Sequence, residues 1–191
     1  MDADATPAPA LTGAALIRAM GLRAVLAEDI RTHRGEWSRP GLQALIIHRI
    51  GVWATTLPRP WRWPFDILYA VGFRFCRNFY GIELRRTARI GRRLEIGHQH
   101  GIIIHDHATI GDDCVLRQGV TFGIANEWIP GRGPVIGNRV SFGPGTAIIG
   151  NITIGDDVQI GPNCVISADV PAGRTLFVPP PRVIPREVPP A

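Results

Sequence analysis

Lysine is absent from this 191-residue chain: all 21 of its basic residues are arginine. Set against 16 acidic residues they leave a net charge of +5. That excess favours an anionic partner, whether nucleic acid, a membrane surface or a phosphorylated small molecule. Cysteine is also scarce. Cys76, Cys114 and Cys164 are widely spaced and form no Cys-x-x-Cys, which predicts reduced, buried small hydrophobes in a cytoplasmic protein. No basic segment followed by an apolar one opens the chain, so no signal peptide is expected. Long hydrophobic runs are missing too. The most apolar stretch, Phe65 to Phe73, is far too short to cross a bilayer, and no membrane span is expected. What the chain has in quantity is 22 glycines, 17 prolines and a hydrophobic content of 45%, the composition of a folded, turn-rich domain.

Two periods divide the sequence. Residues 1–10 (MDADATPAPA) are expected to be disordered, and residues 11–82 to form a helical segment. Within it Leu16, Met20, Leu22, Val25 and Leu26 recur at helical spacing over 11–34. A second helix is expected over 41–57 and a third over 65–81, ended by Gly81, with Pro58, Pro60 and Pro64 marking a turn between them. From residue 84 the period becomes six. Aliphatic residues or phenylalanine lead thirteen hexads, at Leu84, Ile90, Ile96, Ile104, Ile110, Leu116, Phe122, Ile136, Phe142, Ile148, Ile154, Ile160 and Ile166. A small or aliphatic residue follows four places later in most of them, Cys114 and Cys164 included. This pattern predicts a parallel β-helix over 83–172, in which three hexads make one triangular coil and about four coils stack at the strand spacing. Residues 173–191 read as a proline-rich tail.

The frame slips twice: the step is eight between Ile96 and Ile104, and fourteen between Phe122 and Ile136. The second slip predicts a loop over GIANEWIPGR (123–132) that leaves the coil. The first contains His98. Identical stacking stabilises a solenoid, so an interruption points to a functional position.

At these residues the chain resembles a known family. GLQALIIHRIGVW (41–53), ARIGRRLEIGHQHGIIIHDHATIGDDCVLRQGVTFG (88–123) and PVIGNRVSFGPGTAIIGNITIGDDVQIGPNCVISADVP (134–171) resemble serine O-acetyltransferases, hexapeptide-repeat enzymes that make O-acetylserine from acetyl-CoA and serine for cysteine biosynthesis. The resemblance implies a left-handed β-helix preceded by helices, assembled as a trimer or a dimer of trimers with active sites between prisms. It implies acetyl-CoA as co-substrate; no metal is expected. It matches His98 to the family's general base and Glu83 to the carboxylate that orients it. Arg132 and Asp106 match residues at the acceptor, but Gly133 stands where the family has a second histidine, Gly97 replaces an aspartate before the base, and RTHRGEWSRPGLQ lacks the family's acidic serine contact. Related enzymes that acetylate sugar hydroxyls in polysaccharide assembly keep the single histidine. A sugar acceptor and a catalytically silent scaffold therefore stand as alternatives.

An alcohol attacks a thioester well only once its proton is removed, which is the task assigned to His98. Gly143, Gly145 and Gly161 are candidates for the floor of a groove that admits the pantetheine arm, and Arg182, which the resemblance matches to a basic residue near the family's C-terminus, for a contact to a coenzyme A phosphate. Four histidines lie in IGHQHGIIIHDHATIG, so a zinc site made by His98, His100, His105 and His107 is the rival reading. The hexad frame instead sends His105 and His107 to the outer surface. His48 reads as a packed or half-exposed helix residue. RRTARIGRR and PRPWRW read as solvated faces or subunit contacts rather than a nucleic-acid patch, with contact of the Arg and Trp around 59–63 with a membrane surface as a further alternative, and no nucleic acid is expected as a partner.

Overall fold

The computed structural model describes residues 11–124 and 129–182. Four helices lead: α1 (Gly13–Met20), α2 (Leu22–Thr32), α3 (Pro40–Ala54) and α4 (Arg59–Phe75), followed by a π-helical turn at Cys76–Tyr80. The continuous helix expected over 11–34 is two helices, because Gly21 takes φ 80° and ψ 148° between them. The third helix begins six residues before its expected start. Pro60 falls in the first turn of α4, where its missing N–H had no partner to lose, and Pro64 forfeits only one bond.

Fourteen short strands then build three parallel sheets. One face of the prism holds β1 (Ile82–Leu84), β4 (Ile102–Ile104), β7 (Thr121–Gly123), β10 (Ala147–Ile149) and β13 (Val165–Ile166). The second holds β2 (Arg89–Ile90), β5 (Thr109–Ile110), β8 (Val135–Ile136) and β11 (Thr153–Ile154). The third holds β3 (Glu95–Ile96), β6 (Val115–Leu116), β9 (Ser141–Phe142), β12 (Gln159–Ile160) and β14 (Thr175–Leu176). This is a β-solenoid of about five turns, consistent with a left-handed β-helix. The hexad count gave about four coils because it stopped at Ile166. In the structure Thr175 and Leu176 pair with Gln159 and Ile160, so coiling runs beyond residue 172 into the proline-rich stretch. Part of the loop expected over 123–132, residues 125–128, lies outside the described residues, as do 1–10 and 183–191.

The hexad leaders are the core. Leu84, Ile104, Phe122, Ile148 and Ile166 stack in register on the first face, and Ile90, Ile110, Ile136 and Ile154 on the second. All are buried, as are Cys114 and Cys164 in the companion column. Each such aliphatic side chain contributes about 1.5–3 kcal/mol by leaving water.

The helices close the open N-terminal end of the solenoid, whose first strands would otherwise present unpaired backbone groups. Arg49, fully buried on α3, donates to the carbonyls of Ile90 (3.0 Å) and Gly91 (2.6 Å) while its Nε reaches Asp29 of α2 at 2.9 Å. Beside it His48 Nε2 donates to the Ala88 carbonyl at 3.1 Å. Gly41 lets the start of α3 press onto β3, where a Cβ would run into the Ile96 carbonyl.

Candidate active site

Hydrogen bonds locate the first slip to the residue. Gly97 N–H donates to the Leu116 carbonyl, and Gly119 N–H donates to the His100 carbonyl, both at 2.9 Å. Two residues, Gly97 and His100, are thus in step with the next coil's Leu116–Gly119 segment, and the surplus pair between them is His98 and Gln99. Both are exposed, pushed out of the prism at the edge that joins the third face to the first. The return to step is made at His100, whose φ of 73° is unusual for a residue with a side chain.

A recess of about 470 Å3 opens around this bulge, lined by Arg34, Ser38, Arg39, Glu95, His98 and Arg117 among others. Its far wall is the α2–α3 connection. That wall is fastened by His33, a fully buried side chain that no sequence motif marked. Its Nε2 accepts from the Ile96 N–H at 3.2 Å, which leaves Nδ1 to donate to the Asp29 carbonyl at 2.8 Å. Arg39 is forked onto Glu36, with Nε at 2.8 Å, and approaches Glu95 at 3.9 Å. Arg34 and Arg117 form no ion pair with any described residue. An imidazole flanked by guanidinium groups suits proton removal from an acceptor held by an anionic group.

The other predicted residues fall into two groups. Gly143, Gly145 and Gly161 lie on the same prism edge as His98, two or three coils further along. Gly145 has φ 71°, and Gly143 and Gly161 are stacked so closely that a Cβ on Gly143 would stand 2.6 Å from the Gly161 backbone. Glu83, Asp106 and Arg132 are not at the His98 edge. Glu83 projects from the middle of β1 and accepts from Arg85 Nε at 3.1 Å, and the same guanidinium reaches Asp106 at 3.2 Å. Among the described residues no hydrogen bond joins Glu83 to His98. Arg132 is exposed at the end of the loop segment, and Arg182 is exposed at the limit of the described chain.

The two His-x-His pairs are separated by the length of β4. His98 and His100 precede it; His105 and His107 follow it, their rings 5.8 Å apart and half-buried. The backbone N–H of His107 donates to His105 Nδ1 at 3.2 Å, and burial holds the His105 ring below its ordinary pKa. Gly133 packs directly on this pair: a Cβ there would stand 2.8 Å from His105 Nδ1. Among the described residues no group of three or more histidine, cysteine, aspartate or glutamate side chains is gathered to hold a metal ion.

Comparison with known proteins agrees with this architecture. The bacterial transferase hexapeptide (six repeats) family matches residues 133–168. A serine acetyltransferase of Helicobacter pylori is 36% identical over 137 residues, 70% of this chain and 76% of the relative. A colanic acid biosynthesis acetyltransferase of Escherichia coli K12 is 34% identical over 134 residues, 66% of this chain and 78% of the relative. A serine acetyltransferase of Synechococcus elongatus is 35% identical over 60% of this chain, which spans only 45% of that protein's length. The crystal structure of a Vibrio cholerae serine acetyltransferase superimposes with a TM-score of 0.71 at 26% identity, over 85% of this chain and 66% of that one.

Proposed function

Because the chain belongs to the serine acetyltransferase family of hexapeptide-repeat acyltransferases, we propose that it transfers an acetyl group from acetyl-CoA to a hydroxyl, with L-serine as acceptor and O-acetylserine as product. The observation that carries this reading is the extrusion of His98 from an otherwise regular prism into an arginine-lined recess. His98 removes the hydroxyl proton as the oxygen attacks the thioester carbonyl, and the resulting imidazolium returns that proton to the departing thiolate. The pantetheine arm runs along the edge floored by Gly143, Gly145 and Gly161, where the missing side chains leave room for a narrow chain. We assign Arg117, in the His98 recess, and Arg182 to contacts with coenzyme A phosphates or an acceptor carboxylate. We assign the orienting carboxylate to Glu83, freed from Arg85 in the working assembly, and Arg132 and Asp106 to the acceptor side contributed by a neighbouring prism of a trimer.

A sugar hydroxyl is the second reading. It is favoured by Gly133, which leaves no second histidine at that position, and by the similarity to the colanic acid biosynthesis acetyltransferase. Release of free coenzyme A from acetyl-CoA, measured with serine and with a panel of sugars, separates the readings: serine dependence supports the first, sugar dependence the second, and silence with every acceptor sinks both. His98→Ala is expected to lower turnover by roughly 10²–10⁴-fold with the circular dichroism unchanged. Glu83→Gln is expected to lower it more than Glu95→Gln; the reverse order would move the orienting role to Glu95, which shares the His98 recess.

A further inference from the structure

Helix α4 presents its apolar side to solvent. Trp61, Leu68 and Phe75 recur at seven-residue intervals and Ile67 and Val71 at four, so with Trp63 they occupy one side of the helix. Their exposures are 71%, 47%, 45%, 55%, 61% and 63% respectively, and Phe79 in the following turn is 69% exposed. The opposite side is the one that packs: Phe65 meets Trp53 edge-on at 4.8 Å, Tyr69 lies over Gly51 and Gly72 receives Ile47. A helix of 17 residues, about 26 Å long, therefore offers a continuous aromatic and aliphatic strip to its surroundings. Isolated exposed apolar residues are ordinary, but a strip of this extent requires an occupant.

The charges around the strip identify that occupant. The segment carries Arg59, Arg62, Arg74 and Arg77 against a single acid, Asp66, which is already held by Arg62 at 2.8 Å and by Arg86. Arg74 and Arg77 form no ion pair with any described residue: Arg74 donates to the Ala70 carbonyl at 3.4 Å, and Arg77 donates to the Asn78 side chain at 3.2 Å and lies 5.7 Å over the Phe73 ring. Together with Arg85 they rim an open recess of about 280 Å3, backed by Tyr69 and Phe73, directly beside the strip. A second copy laid on this face by a two-fold axis would set these guanidinium groups against one another. Self-association has other apolar surface to use, since Ile103 and Val165 stand exposed on the first face of the prism. Tryptophan and phenylalanine at the level of arginines, with no free carboxylate, match the boundary layer of an anionic bilayer.

We propose that α4 is a membrane-interface helix that lays its Trp61–Phe79 strip into the headgroup boundary of an anionic bilayer, with Arg74 and Arg77 receiving a lipid phosphate. The full chain is expected to co-sediment with vesicles of phosphatidylcholine and phosphatidylglycerol, to ignore pure phosphatidylcholine, and to release as salt is raised. Ile67→Glu with Val71→Glu should abolish binding. Arg74→Gln with Arg77→Gln should weaken it roughly thirty-fold. All variants should keep the circular dichroism and light-scattering mass of the wild type, because every substituted side chain faces solvent. The proposal is overturned if the wild type stays in the supernatant with anionic vesicles, or if the arginine variant binds undiminished. It is also overturned if Ile67→Glu with Val71→Glu reduces the mass of the assembly, which would make the strip a contact between copies.

Discussion

Built on the backbone of Gly133, a Cβ would stand 2.8 Å from His105 Nδ1 and 2.8 Å from the His107 carbonyl carbon, so the coil carrying residue 133 closes onto the histidine pair only because that residue has no side chain. The substitution of glycine for the family's second histidine is thus coupled to what lies on the coil beneath it. Gly133→His places a ring where His105 already is, and overpacking of this kind costs about 1–3 kcal/mol. Urea unfolding is expected to show that loss, and His105→Ala in the same chain is expected to recover part of it by vacating the side-chain contact, while the clash with the His107 backbone remains. A fully additive double variant would mean that the two residues do not share the space. The same geometry limits what His105 can do. Its Nδ1 accepts from the His107 N–H, so the neutral ring exposes Nε2–H as a donor rather than a second base.

At the level of elements, α3 joins the helical layer to the first coil through two neighbouring buried residues that behave differently with pH. Arg49 stays charged, satisfied by Asp29 and two strand carbonyls. His48 is fully buried, with Nε2 donating to Ala88 and Nδ1 lacking a hydrogen-bond partner among the described residues. Burial, reinforced by the Arg49 charge, lowers its pKa from 6.5 to about 3. The unfolded chain therefore binds a proton that the folded chain refuses between pH 6.5 and 3. Folding stability should fall as pH drops through that window, by up to about 1.4 kcal/mol per unit. His48→Gln keeps a donor for Ala88 and removes its titration, so the slope from chemical denaturation between pH 6.5 and 5 should become shallower in the variant, with the lowered His105 ring retaining a part. An unchanged slope would assign the acid sensitivity to other groups. Elements of this kind also mark what the sequence could and could not disclose. The coils were legible because each inward position repeats at a fixed interval of six, and a two-residue surplus at His98 and Gln99 breaks that count visibly. The break at Gly21, the early start of α4 and β14 were not, since each depends on a backbone angle or a pairing partner rather than a period. The recess wall was hidden for a further reason: Arg34, Ser38 and Arg39 meet His98 only through the docking of His33 and Gly41 on Ile96, some sixty residues away in the chain.

For the molecule as a whole, the arrangement of the site argues for more than one copy. His98 and the glycine edge lie along one corner of the prism, while Glu83, Arg85, Asp106 and His105 gather toward the far end of the adjoining face, and a single chain leaves both open to solvent. Prisms packed side by side would bring the corner of one against a face of the next. The outward residues of the prism support such packing: Val165 is 72% exposed and Ile103 47% on the first face, and Val135 44% on the second. Light scattering is expected to give three times the 20.9 kDa protomer mass, or six times if trimers pair. Val165→Glu costs an isolated chain little, because the side chain already points to water, but it places a charge inside a packed interface. Mass and acetyl-CoA turnover should therefore fall together, with the parallel sheets intact by circular dichroism. A Val165→Glu monomer that retained full turnover would place the whole reaction within one prism and remove the reason for a shared site.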